Sequence, residues 1–221
     1  MPWGRSYEEY LKMFHLARWH IEGKILDCAG GPASFNAEAT RKGVRVVSCD
    51  PIYRFTANEI ADRIDETYET IVAGAKANRE RYVWREIDSP EHMGEVRMTA
   101  MRRFLEDFPS GSREGRYRCD ELPSLGFDEE RFDLALSSHF LFTYSEQLSA
   151  DFHVAAIEEM CRVAAEARIF PLLNYDGKPS RLLRPVVNEL RARGYRAETQ
   201  RVPYEFQKGG NRLLSVAGGT R

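Results

Sequence analysis

The sequence predicts an α/β protein: one mainly parallel sheet with helices packed on it, and an extra helical segment inserted between the second and third strands. Three observations predict it. Short apolar or β-branched runs alternate with stretches of helical periodicity, the pattern of strand–helix–strand crossovers. The turn Lys208-Gly209-Gly210-Asn211 separates two strand-like runs, so a closing hairpin makes the last strand antiparallel. Pro51 to Arg116 is far longer than a single crossover helix and its loops require.

The elements follow in order. Ser6 and Glu9 have capping-box spacing, and Tyr7, Leu11, Phe14 and Ala17 or Arg18 follow at helical spacing. Ile21 to Cys28 forms a short, mostly apolar strand closed by the turn Ala29-Gly30-Gly31-Pro32. Phe35 to Lys42 suits a helix stopped by Gly43, and Val44 to Cys49 is a β-branched run that makes the clearest strand in the chain. Within the long stretch, Thr56 and Glu59 form a second capping box ahead of the apolar face Ile60, Ile64, Tyr68, Ile71, Val72 and Ala75. A second helix starts at Ser89-Pro90, carries Met93, Val96, Met101, Phe104, Leu105 and Phe108, and stops at Ser110-Gly111. Residues 56–116 are therefore expected to be a helical subdomain with apolar faces of its own, a lid inserted into a single domain covering 1–221. Strands then follow at Tyr117 to Cys119, Phe132 to Leu136, Ala167 to Leu172, Tyr195 to Val202 and Leu213 to Ala217. Helices run through Phe152 to Val163 and through Leu182 to Arg193, the second closed by Gly194.

Bulk properties exclude several classes. A chain of 221 residues with 43% hydrophobic content fits one α/β domain with an insertion and is not disordered. A net charge of −2 gives no overall electrostatic reason to bind nucleic acid. No apolar run is long enough to span a bilayer, and Arg5, Glu8 and Glu9 stand where a signal peptide needs an apolar stretch. Cys28, Cys49, Cys119 and Cys161 lie far apart with no CxxC or Cys/His cluster. They read as thiols in a reducing cytosol and not as a metal site, so a cytoplasmic protein with no membrane partner is expected.

The chemistry concentrates in Ile25 to Phe35, ILDCAGGPASF. A glycine-rich turn between a first strand and its helix lets a ligand approach the backbone and points free N–H groups at it. Asp27 ends the first strand and Asp50, about twenty residues past the glycines, ends the second. Such an acid suits a bidentate grip on ribose hydroxyls. The alternative for Asp50 is a turn cap ahead of Pro51. The GxGxxG spacing of a nicotinamide fingerprint is absent, which counts against a dehydrogenase.

The run LDCAGGP resembles the motif of class I S-adenosylmethionine-dependent methyltransferases, in which an acid and a glycine-rich turn close the first strand. The resemblance implies a Rossmann-like sheet of strand order 3-2-1-4-5-7-6 and S-adenosyl-L-methionine as cofactor. It implies that Asp27, Ala29, Gly30 and Gly31 meet the methionine part, and that Asp50, with Pro51 beside it, holds the ribose. CDELP at 119–123 is similar to the adenine-contacting segment, which brings in Asp120 and Glu121. FDLALSSHFLF at 132–142 resembles the fourth-strand motif and brings in Ser137. Ala29 and Ala33 depart from the family's glycines, which is tolerable where φ is negative. The motif does not specify the acceptor.

Methyl transfer from a sulfonium asks mainly for in-line positioning. A general base is needed only when the acceptor must lose its proton early, and His139, in the loop after the fourth strand, is the candidate, with a packed histidine as the alternative. Tyr144, Asn174, Tyr175 and Tyr204 are loop residues at the same edge, and Tyr82 and Trp84 lie between the inserted helices within reach of an acceptor. The balanced charge of the insertion favours a small-molecule acceptor over nucleic acid. Methylation of a macromolecule, another use of the same cofactor, binding of a different nucleotide, or a non-catalytic cofactor-binding protein are the other readings.

Overall fold

The computed structural model describes residues 3–218, and among them lies a seven-stranded sheet. The strands are β1 (Lys24–Cys28), β2 (Arg45–Cys49), β3 (Tyr117–Arg118), β4 (Phe132–Ser138), β5 (Ala164–Phe170), β6 (Arg196–Arg201) and β7 (Arg212–Ala217). Their order is β3-β2-β1-β4-β5-β7-β6. Neighbours from β3 to β5 pair in parallel, and β7 runs antiparallel to both β5 and β6. This is the topology expected from the sequence. In β1 and β4 almost every residue is buried, as it must be where helices cover both faces.

The helices are α1 (Tyr7–Met13), α2 (Arg18–Glu22), α3 (Phe35–Arg41), α4 (Ala57–Ala77), α5 (Pro90–Arg113), α6 (Ala150–Val163) and α7 (Leu183–Ala192). The capping boxes at Ser6 and Thr56 both form. The first helix is shorter than its periodicity suggests. It stops at Met13, the chain turns at His15 with φ +49°, and α2 takes up Ile21, which the sequence placed in the first strand. The turn is set from a distance: Arg168 of β5 donates to the Phe14 carbonyl at 2.8 Å and the His15 carbonyl at 3.3 Å. The α5 helix outruns its expected stop at Ser110-Gly111. Gly111 is inside the helix as a packing position, not a stop: the Tyr117 ring occupies the space a β-carbon would need.

The two inserted helices do different work. The α5 helix flanks the sheet as an ordinary crossover helix. Its Arg103 pairs with Glu38 of α3 at 3.0 Å, its Asp107 pairs with Arg116 at 2.7 Å, and its Phe104 and Phe108 pack on Tyr117 of β3. The α4 helix lies outside α5 and adds Ile60 and Ile64 to the same cluster. The connector between them crosses to the far end of the sheet. There Val83 N donates to the Phe206 carbonyl at 2.7 Å, and Lys208 N donates to the Arg81 carbonyl at 2.9 Å. The rings of Tyr82, Trp84 and Phe206 close that contact, with centroids 5.0–5.5 Å apart.

A buried ion pair joins three segments. Arg97 of α5 is fully buried and bonds Glu9 of α1, while Tyr204, after β6, donates to Glu9 Oε1 at 2.7 Å. Burial pushes the Glu9 carboxyl up, but the Arg97 and Arg5 guanidiniums pull it down to about 2. Its stabilising contribution is therefore present above pH 4.5 and lost as pH falls from there toward 2. Replacing Arg97 by Met strands a buried carboxylate, which typically costs about 3–5 kcal/mol. The midpoint of urea unfolding at pH 7 is expected to fall accordingly; an unchanged midpoint would contradict this assignment.

Candidate active site

The carboxyl ends of β1, β2 and β4 carry the site. The turn after β1 is held from three sides. Ala29 has φ +56° and Gly31 φ +54°. The negative φ anticipated for Ala29 is not what the chain adopts: the alanine sits in the left-handed region, a strain of roughly 1–2 kcal/mol. Between them, a β-carbon on Gly30 would overlap the Asp27 carboxylate and stand 2.9 Å from Tyr53 Oη. Gly31 N donates to Asp50 Oδ2 at 3.0 Å, and Tyr53 donates to the Gly31 carbonyl at 2.8 Å. Tyr53 is itself wedged among Phe104, Phe108 and Tyr117.

Asp27 lies beneath the turn and does not line the cleft. It is 1% exposed and accepts from Tyr10 Oη and Ser48 Oγ, each at 3.0 Å. Burial pushes its pKa up to about 7, against the pull of those two donors. Asp50 makes the turn cap that was its alternative role and still lines the cleft. Its Oδ1 accepts from Ile52 N at 2.8 Å and caps the 3-10 turn Pro51–Arg54, while the same carboxylate faces the cleft beside Gly31. Burial raises its pKa, and the Ile52 and Gly31 N–H groups oppose that rise.

The remaining expected residues divide cleanly. Ala29, Gly30, Gly31, Pro51, Asp120, Glu121 and His139 line one cleft of about 1170 Å³. Asp120 is anchored by Arg118 Nε at 2.7 Å and Gly126 N at 3.0 Å. Ser137 is not on the wall: it is fully buried, and its neighbour Ser138 lines the cleft in its place. The strand continues two residues beyond Leu136, and alternation along it exchanges the two serines.

His139 follows β4 with φ +54°, its N–H donating to the Phe170 carbonyl at 2.6 Å. Its Nδ1 hydrogen-bonds Ser138 Oγ at 2.8 Å, and its ring meets the Phe170 edge. Burial, then the charges of Arg5 and Arg97, push its pKa well below the ordinary histidine value, so the imidazole is neutral at neutral pH. Tyr144, Asn174, Tyr175, Tyr204 and Tyr82 also line the cleft, whereas Trp84 packs away on Phe206 with its indole N–H on the Arg79 carbonyl at 2.8 Å. Residues that sequence reasoning missed come from the amino terminus and the 3-10 turn: Arg5, Tyr10 and Tyr53. Only tertiary packing brings them here; the signals before β1 and after β2 spoke of caps and amphipathic faces. Among the described residues no group of three or more His, Cys, Asp or Glu is placed to hold a metal, and no helix is long and apolar enough to cross a membrane.

The architecture recurs in solved structures. A TehB-like S-adenosylmethionine-dependent methyltransferase from Corynebacterium glutamicum superposes with a TM-score of 0.50 at 17% identity, covering 97% of this chain and 88% of that one. The mitomycin 7-O-methyltransferase MmcR superposes with a TM-score of 0.50 at 12% identity, covering 96% of this chain and 54% of that one. The fold is that of the class I S-adenosylmethionine-dependent methyltransferases. No protein-family model matches the chain. It is 32% identical over 214 residues to the uncharacterized protein MJ0045 of Methanocaldococcus jannaschii, covering 96% of this chain and 94% of that protein, and it belongs to the same family.

The raised pKa of Asp27 has a measurable sign. A carboxyl raised from 3.8 to about 7 contributes stability that is complete below pH 3.8 and lost as pH rises through 7. The Asp27→Asn protein, which keeps the shape without the charge, is expected to gain in Tm over wild type as pH goes from 5 to 8. A difference in Tm that does not change with pH would contradict a buried, proton-binding Asp27.

Proposed function

We propose that the chain transfers a methyl group from S-adenosyl-L-methionine to a small-molecule acceptor. The observation that carries this reading is the pairing of the Gly30–Gly31 backbone with the Asp50 carboxylate, on adjacent strand ends and at the mouth of one cleft. The residues fit that cofactor. The missing β-carbon at Gly30 lets the turn close down on Asp27, Gly31 leaves open space at the cleft where the methionine part would lie, Asp50 has acceptor capacity left for ribose hydroxyls, and Asp120, Glu121 and Leu122 wall the adenine side. Bound there, the cofactor would supply a methyl group on a sulfonium, an electrophile with a neutral leaving group.

What the protein adds is position and exclusion of water. The α4 helix and the connector after it form the outer wall of the cleft, and the connector is pinned to the loop after β6 by backbone hydrogen bonds. A cover tied at both ends favours a small acceptor over a folded macromolecule. His139, neutral and oriented by Ser138 at Nδ1, accepts a hydrogen bond at Nε2 from the acceptor nucleophile in the tautomer that carries its proton on Nδ1. Burial and the charges of Arg5 and Arg97 keep that imidazole unprotonated. All four cysteines are free, in keeping with a cytoplasmic location.

Titration calorimetry tests the reading. Wild-type protein is expected to bind S-adenosylmethionine and S-adenosylhomocysteine and not NAD. Asp50→Ala is expected to weaken both by roughly tenfold or more, since each charge-assisted hydrogen bond is worth about 1.5–3 kcal/mol. Binding of NAD alone would sink the proposal. Unchanged affinity in a folded Asp50→Ala protein would confine Asp50 to capping its turn.

A further inference from the structure

Two guanidiniums and one carboxylate are enclosed between α1, α5 and the loop after β6. Arg97, at the back, is fully buried and takes Glu9 as its counter-ion. Arg5 stands in front of that pair, on the cleft wall. Its Nε lies 3.9 Å from Glu9 Oε1, beyond hydrogen-bond reach, and is buried with no partner among the described residues. Its Nη1 makes one long bond, 3.4 Å, to the Trp3 carbonyl. Glu9 is thus satisfied by Arg97 and Tyr204, and one positive charge is left over at the wall.

The groups around that charge do not neutralise it. Burial raises the hydroxyl pKa values of Tyr10, Tyr82 and Tyr204, which keeps all three uncharged, and His139 is neutral. A guanidinium stays protonated even where burial and Arg97 press its pKa down, so Arg5 keeps its charge. An enclosed cation with an unpaired donor is costly in an empty site and is repaid when an anion arrives.

Resting on the cofactor reading above, we infer that Arg5 receives a carboxylate carried by the methyl acceptor. Its place in the sheet separates it from the nucleoside side. Asp50 and Asp120 follow β2 and β3, whereas the Arg5 carbonyl accepts from Ser34 N, past the turn after β1, at 3.0 Å, and the His139 and Tyr204 rings near its guanidinium follow β4 and β6 and both pack on Phe170, at 5.6 and 5.7 Å. From β2 to β5 is three strand spacings, roughly 14 Å. A cleft of about 1170 Å³ also exceeds the ~300–1,000 Å³ typical of one small-ligand pocket, which leaves room for a second molecule. The cleft also carries aromatic side chains, Tyr82 of the connector, Phe206 where the connector is tied, and Tyr144 and Tyr175. The acceptor it fits is a small, flat, apolar body bearing one carboxylate. The same carboxylate chemistry belongs to the tail of the cofactor, so the test separates the two sources.

The probes are benzoate and its neutral isostere benzamide, titrated by calorimetry into protein saturated with S-adenosylhomocysteine. Wild type is expected to prefer benzoate by roughly tenfold or more, and Arg5→Gln to lose that preference while holding S-adenosylhomocysteine within twofold. The retained cofactor affinity reports that the variant is folded, and the wild-type comparison stands without any variant. No preference for benzoate in wild type overturns the inference. So does an Arg5→Gln protein whose affinity falls for S-adenosylhomocysteine but not for 5′-methylthioadenosine, since the carboxylate at Arg5 is then the cofactor's own. Failure of wild type to bind S-adenosylhomocysteine at all defeats the cofactor reading as well, an outcome distinct from the other two.

Discussion

Gly30 lies against the Asp27 carboxylate with no space for a β-carbon, and the upper half of the molecule is arranged around that contact. A carboxylate buried so completely needs donors, and it finds them in Tyr10 and Ser48. Tyr10 belongs to α1, so the first helix is drawn onto the sheet, where its ring stacks on Phe35 at 4.3 Å. From the other side Tyr53 must reach the turn. It does so because Asp50 caps the 3-10 turn that carries it, and because Phe104 and Phe108 of α5 hold its ring. The glycine turn, the second strand end and the crossover helix thus form one rigid unit with bare backbone at its surface.

Charge is distributed around this unit unevenly. The Arg97–Glu9 pair contributes less to net stability than to placement, because desolvation consumes much of a buried pair's attraction. What it fixes is the position of Tyr204 on the cleft wall, and the Arg97 charge, after burial and the Arg5 charge, helps keep His139 neutral. The roof over this region is held by backbone hydrogen bonds between the α4–α5 connector and the loop after β6, at opposite ends of the sheet order. Two segments remote in sequence therefore enclose one cleft.

The topology was legible in the sequence because each element carried a local signal: capping boxes at Ser6 and Thr56, the proline at Pro90, β-branched residues in β2, and glycines at the helix ends. Asp50 and the glycine turn were legible for the same reason, since spacing along adjacent strands places them together. The errors arose where tertiary contacts overrode local preference. Arg168, far along the chain, ends α1 early; Tyr117 requires a glycine at 111, inside α5; and the buttressing of the turn holds Ala29 at a positive φ. Ser137 is buried and Ser138 lines the cleft, because β4 runs on through both and successive side chains face opposite sides of the sheet. Arg5, Tyr10 and Tyr53 were silent because nothing in their neighbourhoods marks them apart from ordinary helix and turn residues. The division of labour between α4 and α5 was equally silent, both faces being amphipathic.

The proposed cofactor site is built from the Ala29–Gly31 turn and Asp50 together. A crystal structure of the protein with S-adenosylhomocysteine tests it most directly. Ribose hydroxyls are expected within hydrogen-bond distance of the Asp50 carboxylate, and the homocysteine part against the backbone of Ala29 to Gly31. A ligand bound outside this cleft, or one inside it with Asp50 bonded only to Ile52 and Gly31, would contradict it.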